Sequence, residues 1–267
     1  MNPQFSTPEA RGKYQGVLQI VAFNWTKYVA GLVVFMVALV LASRVPMPAW
    51  LKVFVLAGSG CALFWMLVSL LASHYVYDRS KLYRWGWIVE RFPTPPKDAV
   101  NIHAGLDESS GSLKRLFPES GFAIWDIHDP NAMTEASIAR ARRQRDSQAA
   151  ARAVDFADLP AENASFDAVF LLFAAHEIRS PHARERFFRE LHRILKPSGE
   201  LLIVEHLRDW KNFIAYGPGF LHFLPRCEWL RLSRAAGFEI KAEFSITPFV
   251  RVFHWAANRQ RVLTMKT

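Results

Sequence analysis

Two long runs without a formal charge dominate the first quarter of the chain, Tyr28 to Ser43 and Val53 to Ser73. The second holds 21 residues, and a helix of that length rises about 31 Å, close to the hydrocarbon thickness of a bilayer. The first is shorter, but Trp25 and Lys27 before it and Arg44 after it are interfacial anchors that let it span. Between them, Arg44-Val-Pro-Met-Pro-Ala-Trp-Leu-Lys52 reads as a tight turn, so the pattern predicts a transmembrane hairpin over residues 28–73. The alternative for each run is a buried core helix. Residues 1–27 begin polar and then set Val17, Ile20, Val21 and Phe23 beside Arg11, Lys13 and Gln19. That spacing suits a helix lying in the membrane interface, with a loosely ordered arm as the alternative. No small-residue cleavage site follows, so a removable signal peptide is not expected.

Beyond the Pro-rich linker Pro93-Thr-Pro-Pro-Lys97 the period changes. Ala99 to Ile102 and Phe122 to Asp126 read as strands, and Glu135 to Ala151 as an Arg- and Ala-rich helix. Asp167 to Phe173 is almost wholly apolar, as a parallel strand covered on both faces requires. Phe187, Phe188, Leu191, Ile194 and Leu195 then recur at helical spacing, Lys196-Pro-Ser-Gly199 stops the helix, and Leu201 to Glu205 is the next strand. Alternating strands and helices predict an α/β domain over 98–267. Residues 74–97 are then a juxtamembrane segment and linker.

Charge sharpens the division. Residues 1–97 hold ten of the 33 basic and three of the 24 acidic residues, so they carry +7 of the net +9. Basic residues confined to the flanks of apolar runs point to an anionic membrane face, and no nucleic-acid patch stands out elsewhere. Arg79, Lys81, Arg84 and Arg91 after the hairpin, with Arg11, Lys13 and Lys27 before it, outnumber Arg44 and Lys52 in its turn. The positive-inside rule puts both termini and the α/β domain in the cytoplasm. Cys61 and Cys227 have no partner spacing, which argues against a disulfide framework or a thiolate zinc site; no metal is expected.

The segments FADLPAENASFDAVF and FRELHRILKPSGELLIVEH, within residues 152–206, resemble the second half of class I S-adenosylmethionine-dependent methyltransferases. The resemblance covers roughly Val100 to Ile246. It implies a Rossmann-like domain with a mostly parallel seven-stranded sheet and S-adenosyl-L-methionine as cofactor. The family's first motif, an acidic residue and then Gly-x-Gly-x-Gly, is degenerate here. His103, Ala104 and Gly105 form the turn after the first strand, Asn101 stands at the acidic position, and Asp107 replaces the last glycine, so Asp107 or Glu108 would take the ammonium contact. A Cβ in place of hydrogen narrows such a turn.

Asp126 closes the second strand, where a carboxylate can accept from both ribose hydroxyls, and Ile127 follows it toward the adenine. The resemblance places Asp155 at the adenine amino group and Phe156 on the base. A segment before the core that closes over the methionine end in many relatives corresponds to Tyr77, Asp78 and Tyr83; the alternative is an interfacial aromatic belt. Phe173 and the pair His176 and Glu177 follow the strand whose end faces the transferring methyl group, and Glu205 with His206 ends the next one. A histidine there can accept a proton during transfer, although proximity alone can also serve. Asn212 to Leu224 is an aromatic insertion that shapes an acceptor pocket or rests on the bilayer. The expected activity is methylation of a small or lipophilic acceptor at the cytoplasmic membrane face. A thiol S-methyltransferase and a non-catalytic cofactor-binding scaffold are the competing expectations.

Overall fold

The computed structural model describes residues 12–143 and 151–257. The start of the amino-terminal arm through Arg11, residues 144–150 of the expected Arg-rich helix and the last ten residues of the expected domain lie outside them.

Helix α1 runs Gln15–Arg44 and α2 Ala49–His74. The interfacial segment expected before residue 28 is continuous with the first apolar helix, bent where Asn24 leaves helical geometry (φ −116°, ψ 15°). The Asn24 side-chain amide donates to the Ile20 carbonyl, which partly satisfies a group the bend frees. Pro46 and Pro48 cannot continue a helix and set the turn between the two. The hairpin's outer surface is apolar and exposed, with Val34 59% and Phe54 73% accessible.

Residues 75–92 make one π turn, Tyr75–Arg79, and two short 3-10 turns, Leu82–Arg84 and Gly86–Arg91. The sequence presented this stretch as lid and linker. The structure instead folds it against the sheet: Val76, Leu82, Trp85, Ile88 and Phe92 are buried with Ala168, Phe170, Leu202 and Val252. It is a layer of the core on one face of the sheet.

The sheet has, among the described residues, seven strands: β1 Asp98–His103, β2 Gly121–Asp126, β3 Arg152–Ala153, β4 Phe166–Leu172, β5 Leu195–His206, β6 Phe238–Thr247 and β7 Val250–Ala257. Their order is β3-β2-β1-β4-β5-β7-β6, with β1 to β5 parallel and β7 antiparallel to both neighbours. Helix α3 Ser110–Leu116 follows β1, and α4 Ala136–Arg143 precedes β3. The other face is covered by α5 Pro181–Ile194 and later by α7 Arg226–Ala236, between which lies α6 Trp210–Tyr216. Phe187, Phe188, Leu191 and Ile194 of α5 are all fully buried, as their spacing predicts. Ser180 caps α5 by accepting from the Ala183 amide, with Pro181 at its first position.

Leu195 belongs to the strand rather than to the helix before it, and Lys196-Pro-Ser-Gly199 forms an irregular start of β5 opposite Phe166. A Cβ on Gly199 would lie 2.9 Å from the carbonyl oxygens of Phe166 and Lys196. Gly199→Ala is therefore expected to destabilise the α/β domain by about 1–3 kcal/mol, read as a lower midpoint in thermal unfolding.

Candidate active site

In an open α/β sheet a ligand sits outside the carboxyl ends of the strands where the strand order reverses. Here that point lies between β1 and β4. A cavity of about 1070 Å³ opens there. Its floor is the turn His103-Ala104-Gly105 after β1 and the segment Phe173 to Glu177 after β4. Its far wall comes from the apolar hairpin: Gly16, Ile20 and Tyr28 of α1, and Cys61, Trp65 and Ser69 of α2.

The β1 turn is held by polar groups that replace the missing glycines. Asn101, fully buried, donates from Nδ2 to the hydroxyls of Ser109 at 2.9 Å and Ser110 at 2.8 Å. Asp107 accepts from the Ser109 and Ser110 amides at 3.1 and 3.0 Å, so its carboxylate caps the start of α3. Glu108, not Asp107, lines the cavity, and it accepts from the Tyr83 hydroxyl at 3.0 Å.

At the nucleoside end the arrangement differs from expectation. Asp126 stands beside His103 in register at the end of β2, but its carboxylate is engaged by Arg142 of α4 at 2.7 Å and by the His128 amide at 3.1 Å. Neither Asp126 nor Ile127 lines the cavity; both are buried behind α4, with Ile138 of that helix against Gly105. Asp155 is exposed and bonds its own turn at the Ala157 amide, 2.7 Å. Phe156 packs on Phe187 in the core, ring centroids 6.4 Å apart. The expected convergence of Gly105, Asp126 and Asp155 on one cavity is thus met only by Gly105, because β3 is two residues long and α4 lies over the ends of β1 and β2. The residues present fit the cofactor at its methionine end, through Glu108 and the β1 turn. To serve the ribose end, Asp126 would have to be both released by Arg142 and uncovered by α4.

Tyr77 and Asp78 part company. Asp78 accepts from the Gly16 and Val17 amides at 2.6 and 3.0 Å and pairs with His74 at 2.9 Å. It caps α1, with its side chain fully buried and turned from the cavity, so Asp78, expected in the active site as part of the segment that closes over the cofactor, has a structural role instead. Tyr77 points inward, and its hydroxyl lies 2.9 Å from His206 Nε2. His206 Nδ1 lies 2.9 Å from the Phe249 carbonyl, which can only accept. Nδ1 therefore carries the proton and Nε2 accepts from Tyr77. Burial pushes the His206 pKa down to about 4, with the Phe249 carbonyl pulling it back and the charge on His176 adding to the fall. His206 is neutral at pH 7.

The depressed value has a stability consequence. An unfolded histidine binds a proton near pH 6.5 that folded His206 refuses until about pH 4, so stability present above 6.5 is lost as pH falls through that window. The contribution is on the order of 3 kcal/mol. The thermal midpoint is expected to fall more steeply between pH 6.5 and 4 in the native chain than in His206→Gln.

Phe173, at the end of β4, adopts a left-handed backbone (φ +55°), uncommon for a bulky residue, and its ring packs at 5.4 Å from His206. The turn it makes swings a short 3-10 segment, Ala175–Glu177, over the cavity. There His176 Nδ1 meets Glu205 at 2.7 Å, and Nε2 meets Glu177 at 3.1 Å. Glu205 is fully buried and also accepts from the Ala175 amide at 3.1 Å. Burial lowers the His176 pKa, but the two carboxylates outweigh it and raise it to about 10. Burial likewise raises Glu177, which His176 and His222 more than reverse, holding it well below the usual carboxylate range. His176, expected as a proton acceptor, is thus charged and His206 is the neutral one. The insertion after β5 adds Tyr216, His222 and Phe223 to the cavity, while Phe220 packs on Phe213 outside it. Gly217 (φ +54°) lets this segment approach the Trp65 ring of α2.

Residues 110–203 match the model of a methyltransferase domain family. No curated protein sequence matches the chain. Among solved structures, a SAM-dependent methyltransferase from Aquifex aeolicus superposes with a TM-score of 0.51 at 15% identity, over 72% of this chain and 97% of that one. A protein from Pyrococcus horikoshii OT3 superposes with a TM-score of 0.49 at 17% identity, over 68% and 94%. At such identities the Aquifex likeness speaks to the fold, which is the doubly wound arrangement built above. Residues 110–203, the segment from α3 to β5, thus match a methyltransferase domain and sit in a fold shared with a SAM-dependent methyltransferase, which implies S-adenosyl-L-methionine as the cofactor.

Proposed function

We propose that this methyltransferase is anchored in a membrane by its α1–α2 hairpin and methylates a small lipophilic nucleophile that reaches the site along the hairpin. One observation carries the reading: a single cavity has the carboxyl ends of β1, β4 and β5 on one side and the two apolar helices on the other. An acceptor leaving a bilayer along those helices would reach the methyl group without crossing water. The exposed apolar surface of both helices supports anchoring, with Leu32 and Val34 of α1 and Phe54 and Leu67 of α2 all open. Exposed Trp210, Ile214 and Leu221 on the insertion beside α2 extend the same surface. The charge distribution supports a cytoplasmic domain.

The bound cofactor supplies an electrophilic sulfonium methyl. Glu108 holds the amino end, and the β1 turn fixes the position of the donor. Tyr77 and His206 take the proton. A heteroatom gaining a methyl bond becomes strongly acidic, so even a weakly basic neutral imidazole can receive its proton. The acceptor's X–H bond breaks, its proton passes to the Tyr77 oxygen, and the Tyr77 proton passes to His206 Nε2. In exchange for that proton the acceptor would gain the cofactor's methyl group, with S-adenosylhomocysteine as the other product.

The test is methyl transfer from radiolabelled cofactor by the full chain in lipid vesicles, against a panel of lipophilic phenols, quinols and thiols and their charged water-soluble analogues. Preference for partitioning acceptors is expected. Equal or better rates with the charged analogues would overturn the route, and preference for thiols would select S-methylation.

A further inference from the structure

A second polar patch in the same cavity is not used by this chemistry. His176 and His222 both direct Nε2 toward Glu177 Oε1, at 3.1 and 3.6 Å. The three ligand atoms lie within 4.8 Å of one another. Around a tetrahedral zinc with N and O ligands near 2.1 Å, neighbouring ligand atoms stand about 3.4 Å apart. Each histidine also carries a carboxylate on its other nitrogen: Glu205 on His176 Nδ1 at 2.7 Å, and Glu135 on His222 Nδ1 at 2.8 Å. That is how metal-binding histidines are oriented, with the distal nitrogen fixed by a carboxylate so that the other presents its lone pair. Glu177 Oε2 is buried and has no hydrogen-bond partner; Arg179 Nη2 lies 3.8 Å from it and 3.0 Å from His222 Nε2, so the guanidinium competes for the space an ion would take. Three carboxylates against the Arg179 guanidinium and the charged His176 leave one negative charge over, and a divalent ion taking the place of the His176 proton would balance the set.

We propose that His176, Glu177 and His222 form a binding site for one divalent transition-metal ion of the zinc class, with Glu205 and Glu135 orienting the two histidines. Two nitrogens and one carboxylate disfavour magnesium and calcium, which take oxygen ligands. Three protein ligands leave a coordination position facing the cavity, lined also by Phe223, whose ring stacks on His206 at 4.8 Å and meets His176 edge-on at 6.4 Å. An acceptor oxygen or sulfur bound there would have its acidity raised by the ion before methylation. This last step rests on the acceptor route proposed above, whereas metal binding does not.

The experiment uses the full chain in detergent, carrying no histidine tag, stripped with chelator and titrated with Co2+ alone, then with Zn2+ in competition and with Mg2+. Expected are one Co2+ per chain, visible bands of a low-symmetry site, displacement by Zn2+ and none by Mg2+. Glu177→Gln and His222→Ala should each weaken Co2+ binding more than about 100-fold, and Glu205→Gln about 10- to 100-fold. S-adenosylhomocysteine binding by calorimetry, retained in these variants, shows that they are folded. Arg179→Ala removes the competing cation and should tighten Co2+ binding, a gain that misfolding cannot mimic. Absence of stoichiometric binding, unchanged affinity in Glu177→Gln and His222→Ala, or no gain in Arg179→Ala would each overturn the site. Metal binding without transfer to any lipophilic acceptor would leave the site standing and overturn the acceptor route alone.

Discussion

His206→Ala is expected to lower kcat about 10²- to 10⁴-fold while leaving cofactor affinity unchanged, the range by which a positioned proton acceptor accelerates a reaction. The expectation follows from the tautomer. The Phe249 carbonyl fixes the proton on Nδ1, so Nε2 presents its lone pair to the Tyr77 hydroxyl. Tyr77→Phe keeps the ring contacts to Tyr83 and Phe173 at 5.7 and 6.4 Å and deletes only the relay. Its kcat should fall in the same direction and by less, since His206 can then accept directly. Single-turnover transfer rates, with S-adenosylhomocysteine affinity measured separately, distinguish this from a packing effect. A variant pair in which kcat holds and only KM rises would mean that the two side chains bind the acceptor and do not take its proton.

The second large effect concerns Asp126 and has two signs. Asp126→Ala should weaken cofactor binding about 10- to 100-fold, as expected when charge-assisted hydrogen bonds worth about 1.5–3 kcal/mol are lost. Arg142→Ala should tighten it by no more than about fivefold, because the partly exposed pair it breaks is worth about 1 kcal/mol or less. Calorimetry of the two variants side by side reads both. If Arg142→Ala also weakens binding, Arg142 contacts the cofactor rather than competing for the carboxylate.

The elements were legible in the chain where burial is continuous. Asp167 to Phe173 and Leu201 to Glu205 could be read as strands because a parallel strand covered on both faces has no polar alternation to obscure it. The stripe Phe187, Phe188, Leu191, Ile194 fixed the covered face of α5 for the same reason. The crevice was legible too, since it lies at strand ends and those ends bear Asp126, Phe173 and His206. What escaped were pairings between distant positions. Asp78 reads as a lid residue until α1 brings the Gly16 and Val17 amides to it from 62 and 61 positions away. Residues 75–92 have the aromatic content of an interfacial belt, and nothing local says that Trp85 and Ile88 are core. Likewise His222 lies in an insertion 46 positions after His176, and no ligand spacing joins them. Asp155 and Phe156 hold the expected places in the sequence but not in space: a two-residue β3 does not carry them to the cavity.

The cap that Asp78 places on α1 bears on how the protein can be handled. Cutting away the hairpin to obtain a more soluble enzyme would strip one whole wall from the reaction chamber and strand a buried carboxylate with no amides to receive. The two parts are one machine, so a trimmed catalytic fragment should fail as a biochemical reagent even where its sheet still assembles.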